Sequence, residues 1–285
     1  MRGAGRRRVS VVTRRFEFLV SFGHAAAPDP AGAARDHPSP GTTPPLTAGS
    51  PLAGDRFAVR PCSSAAPAAS LVPVLLAFDT ATALVSVAVH DGREVVAEAV
   101  SERPLQHGEQ LAPLIARCLG EAGTAADRLA GIAVGVGPGP FTGLRVGLVT
   151  ARTLGLSLGV PVRGVCTLDV VAVEAVAAGP VEGGFLVATD ARRREVYAAS
   201  YDAHGHRRGG PVVDRPADLA TDRPVAGGGA QLYPDAFPRA LAPDRPGAGW
   251  LARAVAEELA EVGEPQPLYL RRPDAAAPGA PKPVS

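Results

Sequence analysis

The chain has 285 residues, 46% of them hydrophobic and 20% charged, which is enough for one or two domains around a sizeable core. A net charge of +1 sets up no strong field over the whole molecule and argues against a chain built chiefly to bind nucleic acid. The charge is uneven: residues 1–70 carry nine arginines against four acids, and the remainder carries 20 bases against 24 acids.

The opening "MRGAGRRRVSVVTRRFEFLVSFGHAAAPDP" imitates a secretion signal, but its apolar patch, Phe16–Phe22, is short and broken by Glu17. Residues 25–70 are rich in Pro, Ala, Gly and Ser without a period, a composition that buries too little apolar surface to offset chain entropy. Residues 1–71 therefore read as a disordered extension, or as the product of a gene start placed too far upstream. Cys62, Cys118 and Cys166 are too few and too widely spaced for a metal site or a disulfide framework, so a reduced, cytoplasmic protein with buried thiols is expected.

"VLLAFDT" (74–80) has the pattern of a buried strand, and "LVSVAVHDGREVVAEAV" (84–100) reads as two strands around an Asp91-Gly92 turn. In residues 107–123 the apolar positions Leu111, Leu114, Ile115, Cys118 and Leu119 form a half-buried helical stripe, with Pro113 expected to start or kink the regular helix. Further elements are a strand at 129–137, a helix at 141–158, a strand at 160–165 and a helix at 168–178. A second hairpin covers 184–205, a weaker helix 250–262 and a short strand "PLYLRR" (267–272). A hairpin followed by a crossover, occurring twice, gives an α/β fold in two related lobes. The run 141–160 is apolar, but Arg145 and Arg152 argue against a membrane span.

The most unusual stretch is "GVGPGPFTGLRVGL" (135–148), between a strand and a helix. It fails as a phosphate-binding loop of either common kind, because the glycine spacing is wrong and no Lys-Ser/Thr pair follows. A structural role fits better: Gly139 as helix cap, Pro140 in the first turn, and Gly143, Gly147 and Ala151 as a smooth face that lets another backbone come close. That face, flanked by Leu144, Leu148, Leu154 and Leu158, is either core or a partner surface.

Four segments resemble the TsaB family, whose members assist tRNA threonylcarbamoyladenosine synthesis: "AFDTATALVSVAV" (77–89), "QHGEQLAPLI" (106–115), "AVGVGPGPFTGLRVGLVTARTLGLSLGVPV" (133–162) and "TDARRREVY" (189–197). The third is the most specific, since the family has G-P-G-S-F-T-G-L-R there and this chain has Pro140 in place of the Ser. The resemblance implies an actin-like, Hsp70-like fold with a complete first lobe (72–180), a smaller second lobe (181–275) and a tail (276–285). It implies a noncatalytic partner of a TsaD-like catalytic paralogue, assisted by a TsaE-like ATPase, with ATP and metal used by those subunits and tRNA bound only indirectly. The alternative is a stand-alone ATP-using enzyme of the actin-like superfamily.

The actin-like nucleotide loop has D-x-G-[ST], whereas Asp79-Thr80-Ala81-Thr82 lacks the glycine. The paralogue's metal motif H-x-x-x-H falls on "CTLDVV" (166–171), with Thr167 and Val171 at the histidine positions, so no metal is expected. The positions nearest any nucleotide would be Asp79, Thr80, Asp190 and Arg192; Asp190 with Arg192, Arg193 and Arg194 reads as a solvated hairpin end or an anion contact. His107 reads as a capping or surface residue. The expected interface pairs helices 107–119 and 141–158 and presents Leu111, Leu114, Ile115, Phe141, Gly143, Leu144, Gly147, Leu148 and Ala151 to the paralogue, or to a second copy where the paralogue is missing.

Overall fold

The computed structural model describes residues 73–101 and 103–271. The expectations for residues 1–71 and 276–285 lie outside them. The chain opens with three antiparallel strands, β1 (Val74–Asp79), β2 (Ser86–His90) and β3 (Val95–Val100). The Asp91 carboxylate forms the β2–β3 turn by accepting the N–H groups of Arg93 and Glu94 at 2.8 and 2.9 Å. There follow α1 (His107–Glu121), β4 (Leu129–Gly135), α2 (Phe141–Leu158), β5 (Val162–Val165) and α3 (Thr167–Ala175). A second meander consists of β6 (Phe185–Asp190), β7 (Val196–Tyr201) and β8 (Arg207–Asp214). Short elements complete the body: β9 (Val225–Ala226), α4 (Gly228–Leu232), β10 (Ala240–Leu241), α5 (Ala248–Ala256) and β11 (Val262–Gly263).

The first sheet has the order β11-β5-β4-β1-β2-β3 and the second β10-β9-β6-β7-β8. With β11 set aside, the two orders are the same, strand for strand. In each sheet a meander lies beside two further strands that run parallel to its first strand. The α/β class and the duplicated hairpin-crossover plan follow the sequence reading. The lobe boundary does not: the second sheet uses residues between 185 and 241, and the chain then returns to the first lobe. There β11 pairs with β5 and α5 packs on β1 and β2.

Apolar residues cover both faces of the first sheet. Leu76, Phe78, Ile132 and Val134 meet Leu111, Ile115 and Cys118 of α1 and Leu148 and Ala151 of α2. Ala77, Ala133 and Val165 meet Leu251 and Ala252 of α5. Helix α3 is buried from Thr167 to Val173 because it serves both sheets, Val170 on the first and Leu168, Val171 and Ala172 on the second. Each large side chain so enclosed contributes about 1.5–3 kcal/mol of burial.

Three local expectations change. Helix α1 begins at His107, ahead of Pro113, because Pro113 lies on the exposed face where water can satisfy the carbonyl it leaves unbonded. Pro140 itself, at φ −57° and ψ 133°, is the N-cap of α2 in place of Gly139, with Gly159 closing the helix at φ 68°. "PLYLRR" forms no strand in its described part; it is an extended segment held to the first sheet by the Leu268 N–H on the Val136 carbonyl at 2.8 Å. Its leucines, Leu268 and Leu270, turn into the second core.

Where α5 starts, no side chain of its own caps it. Glu98 of β3 does so, accepting the Gly249 N–H at 2.9 Å. Glu174, at the end of α3, lies beside it. Burial, with the like charges of Glu98 and Asp244, pushes the Glu174 carboxyl up to about 7.

Candidate functional site

The turn after β1 decides what the Gly-rich loop is for. Asp79 and Thr80 are 1% and 0% exposed, so neither reaches solvent. One Asp79 oxygen accepts the Ala81 N–H at 2.6 Å and the other accepts the Thr167 hydroxyl at 2.6 Å. Thr167 Oγ1 in turn accepts the Gly137 N–H at 3.2 Å, and the Thr167 N–H donates to the Gly137 carbonyl at 2.8 Å. The carboxyl is closed off by its own chain, and burial raises its pKa despite these bonds.

Glycines four residues apart make room for this turn. A Cβ on Gly135 would meet the Asp79 carboxylate oxygen, one on Gly139 the Ala81 backbone, one on Gly143 the Thr80 carbonyl and one on Gly147 the Thr80 hydroxyl. Thr80 Oγ1 donates to the Gly143 carbonyl at 2.9 Å. The approaching backbone expected for Gly143, Gly147 and Ala151 is therefore the chain's own 79–81 turn. His107 is neither a surface residue nor a cap: it is 6% exposed and its Nε2–H donates to the Thr82 carbonyl at 2.7 Å, tying the same loop to the start of α1.

The expected interface face is corrected accordingly. Leu111, Ile115, Leu144, Leu148 and Ala151 are all buried and face the chain's own core. Gly143 and Gly147 are buried, and Leu114 is half-buried against the first core. Apolar spacing identifies a packed stripe but not what packs on it, and here the sheet and the Asp79 turn take it. Of the nine residues named, only Phe141 stands out at 40% exposure. It begins a different stripe on α2 with Arg145, Val149, Arg152 and Leu156, in which Val149 is 60% and Leu156 87% exposed. Beside it α1 offers the small exposed residues Ala112 and Ala116.

The turn after β6 is built to the same plan but left open. Asp190 accepts the Arg192 N–H at 2.8 Å, as Asp79 accepts that of Ala81, and its second oxygen pairs with the Arg192 guanidinium at 3.4 Å. Arg192, Arg193 and Arg194 follow at φ 62°, 56° and 60°, left-handed backbone that costs a residue with a side chain about 1–2 kcal/mol each. A cleft of about 280 Å³ lies between this turn and the start of α2, lined by Phe141, Arg192, Arg193, Tyr197, Tyr269 and Arg271. Arg192, paired with Asp190, thus lines the cleft, whereas Asp79 and Thr80 are sealed from solvent. The third wall is Tyr269, Leu270 and Arg271, at the end of the segment 264–271. Arg152 donates to its Pro265 carbonyl at 2.5 and 3.1 Å, Tyr269 lies against Phe141 with ring centres 5.1 Å apart, and Arg271 donates to the Ala191 carbonyl at 2.8 Å and pairs with Glu195.

Comparison with known proteins places this geometry. A family model described as TsaD, tRNA N6-adenosine threonylcarbamoyltransferase, matches residues 94–243. An uncharacterized protein of Mycobacterium tuberculosis is 41% identical over 72% of this chain and 94% of its own length. The tRNA threonylcarbamoyladenosine biosynthesis protein TsaB of Escherichia coli is 34% identical over 56% of this chain and 74% of its own. The chain belongs to the TsaB family. The crystal structure of YeaZ from Pseudomonas aeruginosa, 31% identical, superposes with a TM-score of 0.56 over 70% of this chain and 100% of that one. The fold is the actin-like one that the family resemblance implied.

In this TsaB-family chain the two departures seen in the sequence act as one. Ala81 stands where the nucleotide loop has glycine, and Thr167 stands at a histidine position of the paralogue's metal motif; Thr167 bonds the very carboxylate that the Ala81 N–H also holds. Among the described residues no group of three or more His, Cys, Asp or Glu side chains could hold a metal ion. Burial pushes the thiols of Cys118 and Cys166 up to about 11 and about 12, so both stay protonated and inert as nucleophiles. No described helix is long and apolar enough to cross a membrane. Two features escaped the sequence reading. The Asp79–Thr167 bond spans 88 positions and leaves no local pattern. The cleft wall at 264–271 is likewise remote. The glycine ladder was legible, since its four-residue spacing extends back from Gly143 to Gly139 and Gly135.

Proposed function

We propose that this chain is a noncatalytic partner subunit in the synthesis of threonylcarbamoyladenosine on tRNA. It pairs with a TsaD-like catalytic paralogue and works with a TsaE-like ATPase; ATP and metal are used by those subunits and the tRNA is held mainly by the paralogue. The observation that carries the reading is the sealed Asp79 turn: in a fold whose enzymes bring this carboxylate to a nucleotide, Thr167 and the glycine ladder leave it no solvent. Relatives in Escherichia coli and Bacillus subtilis bear the name of this pathway. What the chain offers instead is a surface, the outer stripe of α2 from Phe141 to Leu156 with α1 beside it. A stable interface buries about 800 Å² per side, and central apolar anchors there are worth about 2 kcal/mol or more each.

The test is to change Val149→Asp and Leu156→Asp together. Both side chains are exposed, so circular dichroism should show a native fold. Co-purification with the paralogue should fall more than tenfold, because each change sets an unpaired charge in an apolar contact, and reconstituted tRNA modification should fall with it. Persistence of both would remove the stripe from the interface. Steady ATP turnover by the pure parent chain, lost in Asp79→Ala, would restore the enzyme reading.

A further inference from the structure

Two polar side chains leave the first turn of α3 in nearly opposite directions. Residues two apart on an α-helix are turned about 200° from one another and lie about 3 Å apart along the axis. Thr167 faces the first lobe, where its hydroxyl holds the Asp79 carboxylate and the Gly137 N–H. Asp169 faces the second, where the Tyr201 hydroxyl of β7 donates to one of its oxygens at 2.7 Å. Its other oxygen pairs at 3.4 Å with the guanidinium of Arg207, the first residue of β8, and the same guanidinium reaches Glu261, just ahead of β11, at 3.0 Å. No side chain caps α3, so its first turn is positioned from outside, by Thr167 on one side and Asp169 on the other. The helix is buried from Thr167 to Val173 and has no free face along which to give at one contact while keeping the other.

A buried charge pair here adds less stability than well-packed apolar side chains of the same size would. What it adds is direction. The remaining contacts of α3 with the second core, through Leu168, Val171 and Ala172, are apolar and fix no angle, whereas charge-assisted hydrogen bonds weaken steeply once their geometry is lost.

We propose that Tyr201 and Arg207, gripping Asp169, form a clamp by which the second lobe keeps the Asp79 turn of the first lobe shut. With the clamp made, α3 stands at the angle that puts the Thr167 hydroxyl on the Asp79 carboxylate. With it broken, the first turn of α3 settles elsewhere and the Asp79 turn opens. The sealing of Asp79 is then imposed by the joint between the lobes and is not a property of the first lobe alone. Asp169, Tyr201 and Arg207 are positioning residues that act through Thr167. Release comes from the outer end: the side chains of Arg207 and Glu261 are 26% and 80% exposed, and that of Asp169 is 8% exposed. Whatever binds beside the start of β8 therefore meets the arginine before the carboxylate. The inference concerns the chain's own mechanics and stands apart from the subunit reading above.

The experiment uses the full chain, parent, Arg207→Gln and Tyr201→Phe, with amide hydrogen exchange followed by NMR. The reporters are the Ala81 and Gly137 N–H groups, bonded to Asp79 and Thr167. The references are one amide in each sheet, Ile132 on the Pro161 carbonyl and Leu186 on the Pro224 carbonyl, both at 3.0 Å. Loss of global stability speeds all four alike, so the ratio of reporter to reference is the readout. In Arg207→Gln that ratio should rise at least about tenfold, and in Tyr201→Phe by a smaller factor in the same direction. Should Arg207→Gln fail to fold, the milder Tyr201→Phe carries the same comparison. Thr167→Val completes a double-mutant cycle with each. It should lower the melting temperature of the parent by several degrees and that of either clamp variant by less than half as much, because the released hydroxyl no longer has its bond to lose. A ratio unchanged in both clamp variants overturns the inference, since the clamp would then serve overall stability only. An equal cost of Thr167→Val in parent and clamp variants overturns it too, because the two ends of the α3 turn would then be independent.

Discussion

Asp79 and Asp190 end the first strands of two sheets that share one strand order, and each carboxylate accepts the N–H two residues on. From there the two turns diverge. Behind Asp79 stand an 18-residue helix, a ladder of glycines and the Thr167 hydroxyl, and together they shut the carboxylate in. The equivalent of that helix behind Asp190 is α4, five residues long, and the two parallel strands on that side, β9 next to β6 and β10 beyond it, have only two residues each. Little can close over the second turn, so its arginines face a cleft. A turn of the same plan is core in one lobe and surface in the other. The difference lies in what packs on the loop, since the first bond of each turn is the same.

The strongest way to break this contrast is Gly143→Leu. A Cβ at that position already meets the Thr80 carbonyl, and a full leucine would drive the Asp79 turn off α2. Overpacking against backbone should cost about 3 kcal/mol or more, a large share of a total near 5–15 kcal/mol. Little folded protein is expected by thermal circular dichroism; a cooperative melt within about 3 °C of the parent would mean the turn is not seated there. Next comes Asp79→Ala, which strands the buried Ala81 N–H and Thr167 hydroxyl and should cost about 2–4 kcal/mol, or roughly 5–10 °C in melting temperature.

A pH measurement separates both turns from the seam near α5. Glu174 has its carboxyl raised in the fold, to about 7 from an ordinary 4.5. The stability tied to its protonated form is fully present below about pH 4.5 and is lost as pH rises through 7. Because the side chain is partly solvated, the loss should be about 1–2 kcal/mol. Glu174→Gln should flatten the stability profile between pH 5 and 8 and raise the melting temperature at pH 8 by a few degrees. An unchanged profile would place the charge repulsion elsewhere. The smallest effect is expected from Asp190→Ala, whose carboxylate is open to water: about 0.5–1 kcal/mol in urea unfolding. A cost equal to that of Asp79→Ala would erase the contrast between the turns.

Much of this was legible in the sequence. The strands from Val74 to Val100, both hairpins and helix α2 from Phe141 to Leu158 follow their residue periods, because each buries one face over several turns or pleats. The strands β9, β10 and β11 are two residues long and too short to show any period. The site was half legible. Replacement of glycine by Ala81 and of histidine by Thr167 marked the nucleotide and metal positions as altered. That these two alterations meet on one carboxylate depends on the parallel placement of β1, β4 and β5, which no local pattern carries. The interface face was misassigned for a related reason. Leu111, Leu144 and Leu148 have the spacing of a contact stripe, but spacing says nothing of whether the contact is inside the chain or outside it.

The route of residues 248–271 has a consequence for synthesis. These residues leave the ribosome after every strand of both sheets except β11, yet α5 covers one face of the first sheet, β11 completes its edge, and the segment beyond ties α2 to the Asp190 turn. The first lobe is therefore translated early and finished late. While the second lobe is being made, Ala77, Ala133 and Val165 have no cover from Leu251 and Ala252, and a nascent chain halted near residue 245 exposes an apolar sheet face to chaperones and to other nascent chains. Damage to the message late in the reading frame should harm the earliest-made part of the molecule.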